Sequence, residues 1–198
     1  MKMLKALGIG LVCVASQLSL VGAEFVWNGK DLTGWKVPNP NPFWKVENGV
    51  LIGENDASNA GSMLYTESDY KDFVIEADAR WSGEIDSGFM FRKPEGQMQI
   101  GISRSQKIDL TGSFYVGGKD PYPMSGRALN ANKLVKSNDW NHFKLQARGD
   151  TYTVWINGEK ASEYTNPKYN QPGPIGLQIH RGLPMKIEFR KIRIKSID

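Results

Sequence analysis

The chain has 198 residues, a formal net charge of +4, 23% charged residues and a single cysteine, Cys13. With Lys and Arg scattered rather than massed in a stripe, so small a charge argues against a nucleic-acid partner. One cysteine excludes an internal disulfide framework and a thiolate zinc site.

Residues 1–23 read as a secretory signal peptide, with Lys2 and Lys5 as the basic start, an apolar run from Leu7 to Leu20 and a small-residue cleavage site at Val21-Gly22-Ala23. Ser16, Gln17 and Ser19 interrupt the run, which argues against a membrane span, and Val12 stands where a lipoprotein signal ending at Cys13 needs a small residue. Cleavage after Ala23 leaves residues 24–198 as one exported domain, periplasmic or extracellular, with 23 basic and 21 acidic residues and no cysteine. Its 175 residues suffice for a substantial core without cross-links.

Strand signals then follow one another along the chain. Phe43–Val46 and Val50–Gly53 flank Glu47-Asn48-Gly49, a hairpin signal in which Gly supplies positive φ. Phe73–Trp81 alternates apolar and polar residues, as do Met98–Ile102 and His142–Ala147. Thr151–Ile156 and Lys160–Tyr164 flank a second turn, Asn157-Gly158. Between Arg104 and Asn138 the pattern dissolves into Pro- and Gly-rich loops, with Gly112–Tyr115 as a short strand; such loops on a rigid frame concentrate binding residues. The chain closes on two alternating strands, Gly173–His180 and Met185–Ile194. Ile175, Leu177 and Ile179 are expected in the core, Gln178 and His180 on the opposite face, over a cleft. The class is all-β, and two stacked antiparallel sheets solve the edge problem for so many short strands. Trp35, Trp44, Trp81, Trp140 and Trp155 are expected in the core.

The ordered set Asn28-Gly29-Lys30-Asp31-Leu32-Thr33-Gly34-Trp35, Trp44–Leu51, Ser87-Gly88-Phe89-Met90-Phe91-Arg92, Trp140-Asn141, Gly173-Pro174-Ile175-Gly176-Leu177-Gln178-Ile179-His180 and the closing Phe189–Ile194 strand resembles the 3-keto-disaccharide hydrolase family. The run from Trp140-Asn141 to Thr153–Gly158 looks like a strand pair of concanavalin A-like sandwiches. The resemblance implies a jelly-roll β-sandwich and a carbohydrate substrate, a 3-keto-glycoside. A ketone at C3 acidifies the C2 hydrogen, so a base removes that proton, the glycosidic oxygen leaves from C1 and water later adds.

His180 is the first candidate base, since imidazole takes and returns protons near neutral pH. His142 is expected to be an exposed strand residue. Arg104, Lys107 and Asp109 form a second group: alternation puts Lys107 and Asp109 on one side of an extended segment, as an enolate-stabilising cation beside a base or as an ordinary salt bridge. Arg92 matches the family's S-G-x-x-x-R, and its planar fork suits a sugar oxygen or a carboxylate. Gln178, Arg104, Tyr115 and Gln99 complete the expected substrate-binding set, Tyr115 as a stacking platform. Glu76 and Asp78 share a strand face, the arrangement of a solvated surface or of ion-pair partners to Arg80, and Glu84, Asp86, Asp109 and Asp120 mark no catalytic pair. No metal or cofactor motif is present, and a metal held by His180 with distant carboxylates stays open. Where many relatives carry Y-E-x-Q-I-x-D, this chain has Gly96–Ile102, with Gln97 and Ile102 in place of two acids and Gln99 retained. That departure keeps a second function open, a non-catalytic carbohydrate-binding module of lectin-like fold.

Overall fold

The computed structural model describes residues 24–197, and the signal-peptide reading of residues 1–23 lies outside them. Fifteen strands follow in chain order: β1 Glu24–Val26, β2 Trp35–Lys36, β3 Trp44–Glu47, β4 Val50–Glu54, β5 Ser62–Tyr70, β6 Phe73–Trp81, β7 Asp86–Phe91, β8 Gly96–Ser103, β9 Ile108–Asp109, β10 Phe114–Tyr115, β11 Asn141–Arg148, β12 Thr151–Ile156, β13 Glu159–Thr165, β14 Gly173–Ile179 and β15 Lys186–Ser196. Among the described residues the helical content is one four-residue turn of α-helix, Ala131–Leu134, and two 3-10 turns. Sheet A runs β13-β12-β11-β6-β15-β4-β3 with β1 on β15, and sheet B runs β10-β8-β7-β14-β5-β2 with β9 on β8. Every pairing is antiparallel, so the fold is the expected jelly-roll sandwich.

Period-two alternation sorts each strand between the interior and the two outer faces. On β6, Phe73, Ile75, Ala77 and Ala79 are fully buried, while Glu76, Asp78 and Arg80 point away. From sheet B, Phe89, Phe91, Met98, Ile100, Ile175, Leu177 and Ile179 fill the same interior, the last three as the sequence requires. Aromatic rings interlock across the gap: Phe89 lies 6.4 Å from Phe143 and 6.3 Å from Phe189, and Phe91 lies 5.1 Å from Tyr152. Each such side chain contributes about 1.5–3 kcal/mol when fully buried. Both predicted turns are tight and left-handed, with Asn48 and Gly49 at φ 51° and 77° and Asn157 and Gly158 at 54° and 90°. Positive φ at both central residues matches the right-handed twist of the flanking strands.

Three expectations need correction. Gly112–Tyr115 supplies only the two-residue β10, because Gly112 sits at φ 80° in a turn. Trp35 and Trp44 are core residues, but Trp140 and Trp155 stand on the outer face of sheet A, and Trp81 is only partly buried against the core. There Trp140 is sandwiched by Arg80 at 4.6 Å and Arg190 at 4.1 Å, while Lys144 lies 4.8 Å over Trp155. Cation–π stacking lets an indole keep a half-wet position that burial alone would not favour. Arg92, expected at a substrate, is buried at one end of the sandwich. Its guanidinium donates to Lys71 O, to Gly149 O (2.7 Å), Tyr152 Oη (2.9 Å), Tyr169 O (3.1 Å) and Asp72 (2.9 Å), lacing the β5–β6 and β11–β12 turns to the segment before β14. Each of its nitrogens is engaged, and the residue is buried away from the outer faces of both sheets.

Candidate functional site in the concave face of sheet B

The face of sheet B opposite the core is built by the same alternation. Asp86, Gly88 and Met90 on β7, Gln97 and Gln99 on β8, Gln178 on β14 and Met63 on β5 all turn away from the interior. With Tyr115, Tyr122, Arg104 and His180 they enclose a cleft of about 300 Å³. Two strand glycines give it depth. A Cβ on Gly88 would come within 2.4 Å of Met98 O and 2.9 Å of Gln97 Nε2, and one on Gly176 would come within 2.7 Å of the Tyr65 ring. Glycine inside a strand is costly and marks a close approach, here of the side chains that form the floor.

An amide ladder crosses that floor. Gln97 Nε2 donates to Gln178 Oε1 (2.9 Å) and Gln99 Oε1 (3.0 Å), and Gln99 Nε2 donates to Asp86 Oδ1 (2.9 Å). Tyr122 Oη donates to Gln99 Oε1 (2.7 Å), and burial pushes its phenol pKa up, which keeps the proton on the donor. The Asp86 side chain is 4% exposed, and its second oxygen accepts the Arg104 backbone N–H at 2.8 Å. After these bonds two polar ends remain without a partner among the described residues: the Gln178 amide NH₂ and the Gln97 amide oxygen. Neither atom is sealed from solvent. A donor and an acceptor held side by side suit the vicinal hydroxyls of a sugar, which offer one of each.

His180 stands at the rim, one residue past β14. Its Nδ1 lies 2.7 Å from Arg181 O. A carbonyl oxygen only accepts, so Nδ1 carries the hydrogen and, in the neutral ring, Nε2 is the basic nitrogen. Tyr115 flanks the cleft, its ring 5.2 Å from that of Tyr122 and edge-on. Tyr65 Oη donates to Glu95 Oε1 (2.6 Å) at the far end.

Of the residues singled out in sequence, the cleft therefore brings together His180, Gln178, Gln99, Arg104 and Tyr115. Lys107 lies outside it, in an adjoining hollow of about 460 Å³ that shares Ser103 and Arg104 with the cleft. Asp109 is exposed and caps a turn, accepting Thr111 N–H (2.8 Å) and Thr111 Oγ1–H (2.6 Å). The reason is local: Lys107 takes φ 55°, which ends the extended run on which same-side placement with Asp109 depended. Asp86, Gln97 and Tyr122 are the cleft residues that sequence reasoning did not place. Asp86 and Gln97 carry the period-two signal, alternating with Phe89, Phe91, Met98 and Ile100, whereas Tyr122 lies between two prolines in a loop with no pattern to read. His142 is exposed, as expected, and its Nδ1 bonds Asp78 at 3.0 Å on sheet A. Among the described residues no three of His, Cys, Asp and Glu converge to hold a metal ion, and no helix is long and apolar enough to cross a membrane.

A second hollow, of about 240 Å³ on the sheet A side, is bounded by Arg80, Trp81, Lys186 and Glu188, but its charges are already paired, Arg80 to Glu188 at 2.7 Å and Lys186 to Glu188 at 3.5 Å. The sheet B cleft is the one with polar ends left to offer.

Solved structures share this architecture. A protein described as a putative glycosyl hydrolase from Parabacteroides distasonis ATCC 8503 superposes with a TM-score of 0.66 at 20% identity over 88% of this chain and 100% of its own. The carbohydrate-binding module CBM66 from Bacillus subtilis gives 0.59 at 16% identity over 83% and 96%. The laminarinase catalytic domain from Thermotoga maritima MSB8 gives 0.55 at 14% identity over 79% and 81%. These likenesses establish a fold that serves both glycosidases and sugar-binding modules. No curated protein matches the chain in sequence. A family model described as a 3-keto-alpha-glucoside-1,2-lyase-like domain matches residues 22–195, nearly the whole chain, and the protein belongs to that family.

Proposed function

We propose that the sheet B cleft binds a 3-keto-glycoside and cleaves it by elimination, with His180 Nε2 as the base. The observation that carries this reading is the pairing, two positions apart on one strand face, of an imidazole whose tautomer is fixed by Arg181 O and an amide NH₂ with no protein partner, that of Gln178. That spacing is roughly 7 Å along a strand, enough for the two groups to address neighbouring atoms of one ring. The C2–H bond breaks as His180 Nε2 takes the proton, and the electron pair enters the enolate, whose O3 accepts hydrogen bonds from Gln178. The pair then forms the C1–C2 double bond, the C1–O bond breaks, and the departing oxygen takes a proton from water at the open rim. The hydroxide left by that water adds at C1 and His180 returns its proton to C2, which completes a net hydrolysis and restores the base. A donor placed where charge develops contributes to rate rather than to ground-state binding. Family membership supports an elimination over direct displacement at C1. Export to the periplasm or exterior belongs to the same proposal and rests on the sequence of residues 1–23.

The test is turnover of 3-keto-glucosides and their unoxidised parents by the mature protein, followed as aglycone release in heavy water. Deuterium at C2 of recovered substrate or of product is the expected result; release without it means displacement at C1. A second reading is favoured by one observation: Gln97, in the middle of the amide ladder, occupies the position at which many relatives carry an acid. If that acid is essential in them, this cleft binds sugar without cleaving it. Measurable sugar binding with no turnover on any keto sugar is the outcome that would establish the module instead.

A further inference from the structure

The cleft does not end where the amide ladder ends. Around His180 it shares Met63, Gln178 and His180 with a hollow of about 400 Å³ that reaches Arg181, and through Ser103 and Arg104 it opens into the hollow of Lys107. Three connected depressions make a groove longer than one sugar ring. Its charge is sorted along its length. Arg104, Lys107 and Arg181 gather around the His180 end, and none forms an ion pair among the described residues. Arg104 is moored by its backbone N–H to Asp86, and its Nη2 lies 3.7 Å from where a Cβ of Gly182 would stand, so its guanidinium reaches across to the β14–β15 loop beside Arg181. The carboxylates of the groove are placed differently: Asp86 is buried with two donors, Glu95 is bonded to Tyr65 at the far end, and Glu84 alone faces the Lys107 hollow without a partner.

From this arrangement, and resting on the reading of the cleft as a glycoside site, we infer that the groove takes an anionic oligosaccharide, whose carboxylate or sulfate lies against Arg104, Lys107 and Arg181. Unpaired guanidinium groups flanking a polar cleft are suited to planar or tetrahedral oxyanions, which they bind through two parallel hydrogen bonds. A neutral sugar chain would leave three like charges at that end with Glu84 alone beside them to offset any.

Titration calorimetry of the mature protein with three probes separates the possibilities: a hyaluronan oligosaccharide carrying carboxylates alone, a κ-carrageenan oligosaccharide carrying sulfates alone, and cellotetraose carrying neither. One or both anionic probes should bind more tightly than cellotetraose, and the stronger of the two identifies the anion. Raising salt from about 0.05 to about 0.5 M should erase the preference by screening it. K107Q and R181Q should each weaken the preferred anionic probe about two- to fivefold, the scale of one exposed pairing, and leave cellotetraose and the thermal midpoint unchanged. Cellotetraose binding as well as both anionic probes would overturn the inference and leave the glycoside reading standing. Failure of all three probes and of 3-keto-glucosides would remove both.

Discussion

The two outer faces of this sandwich start from the same alternation and end in opposite states. On sheet A the charges answer one another: Arg80 pairs with Glu188, Asp78 takes His142, Arg190 and Lys191 at 3.0 to 3.1 Å, and Trp140 is closed between two guanidinium groups. On sheet B the central groups are neutral amides that satisfy one another only in part, with glycines beneath them and unpaired cations beside them. A face whose central charges are matched resembles a completed surface, whereas one with a donor and an acceptor left over has groups to offer a ligand. Density of charge is thus a poor guide to a site, and incomplete pairing is a better one.

That contrast can be broken or sharpened by experiment. Arg92 belongs to neither face, and Arg92→Met should destabilise the fold by about 3–5 kcal/mol, because it strands a buried acceptor set and Asp72. A urea midpoint shift with unchanged sugar affinity per folded molecule is expected; lost affinity with intact stability would return Arg92 to the site. His180→Ala should lower turnover of a 3-keto-glycoside about a hundredfold, the usual scale for a positioned base, while His142→Ala on sheet A leaves turnover alone. Equal effects of the two would erase the distinction between the faces. Gly88→Ala should cost about 1–3 kcal/mol through overpacking against Met98 O and should weaken sugar binding by displacing Gln97. Denaturant unfolding and calorimetry on the same sample read both effects.

The smallest effect concerns pH on sheet A. Burial pushes the Asp78 carboxyl up, but hydrogen bonds from His142, Lys191 and Arg190 outweigh it and hold it below its ordinary value. A carboxyl lowered by folding adds stability that is fully present above its unfolded pKa, about 3.9, and is lost as pH falls through the folded value. Asp78→Asn should therefore flatten the acid limb of a stability–pH curve below about pH 4 and leave sugar binding near neutrality unchanged.

Most of the fold was legible because it rests on period two. The span Phe73–Trp81, both Asn-Gly turns and the inward set Ile175, Leu177, Ile179 follow from residue types alone. Trp140 and Trp155 were misplaced because indole burial and cation stacking look alike in sequence, the stacking arginine and lysine arriving from other strands. The site was legible where a single strand carried it, as at Gln178 and His180. It failed at Lys107 and Asp109, where one residue of positive φ broke the alternation, and at Arg92, whose partners come from three separate segments. Tyr122 depends on a loop path that no local pattern specifies.

Asp86 ties four chain segments to one position. Its carboxylate holds Gln99 of β8 and the Arg104 N–H of the following turn, and its main-chain oxygen receives the N–H of His180 at 3.2 Å. Through Gln99 it also reaches Tyr122 and the rest of the amide ladder. The imidazole and the cationic rim are therefore tethered to the same anchor, like two instruments tuned from one string. A shift of either is felt at that residue, so redesign of the groove for a longer or shorter ligand would begin at Asp86.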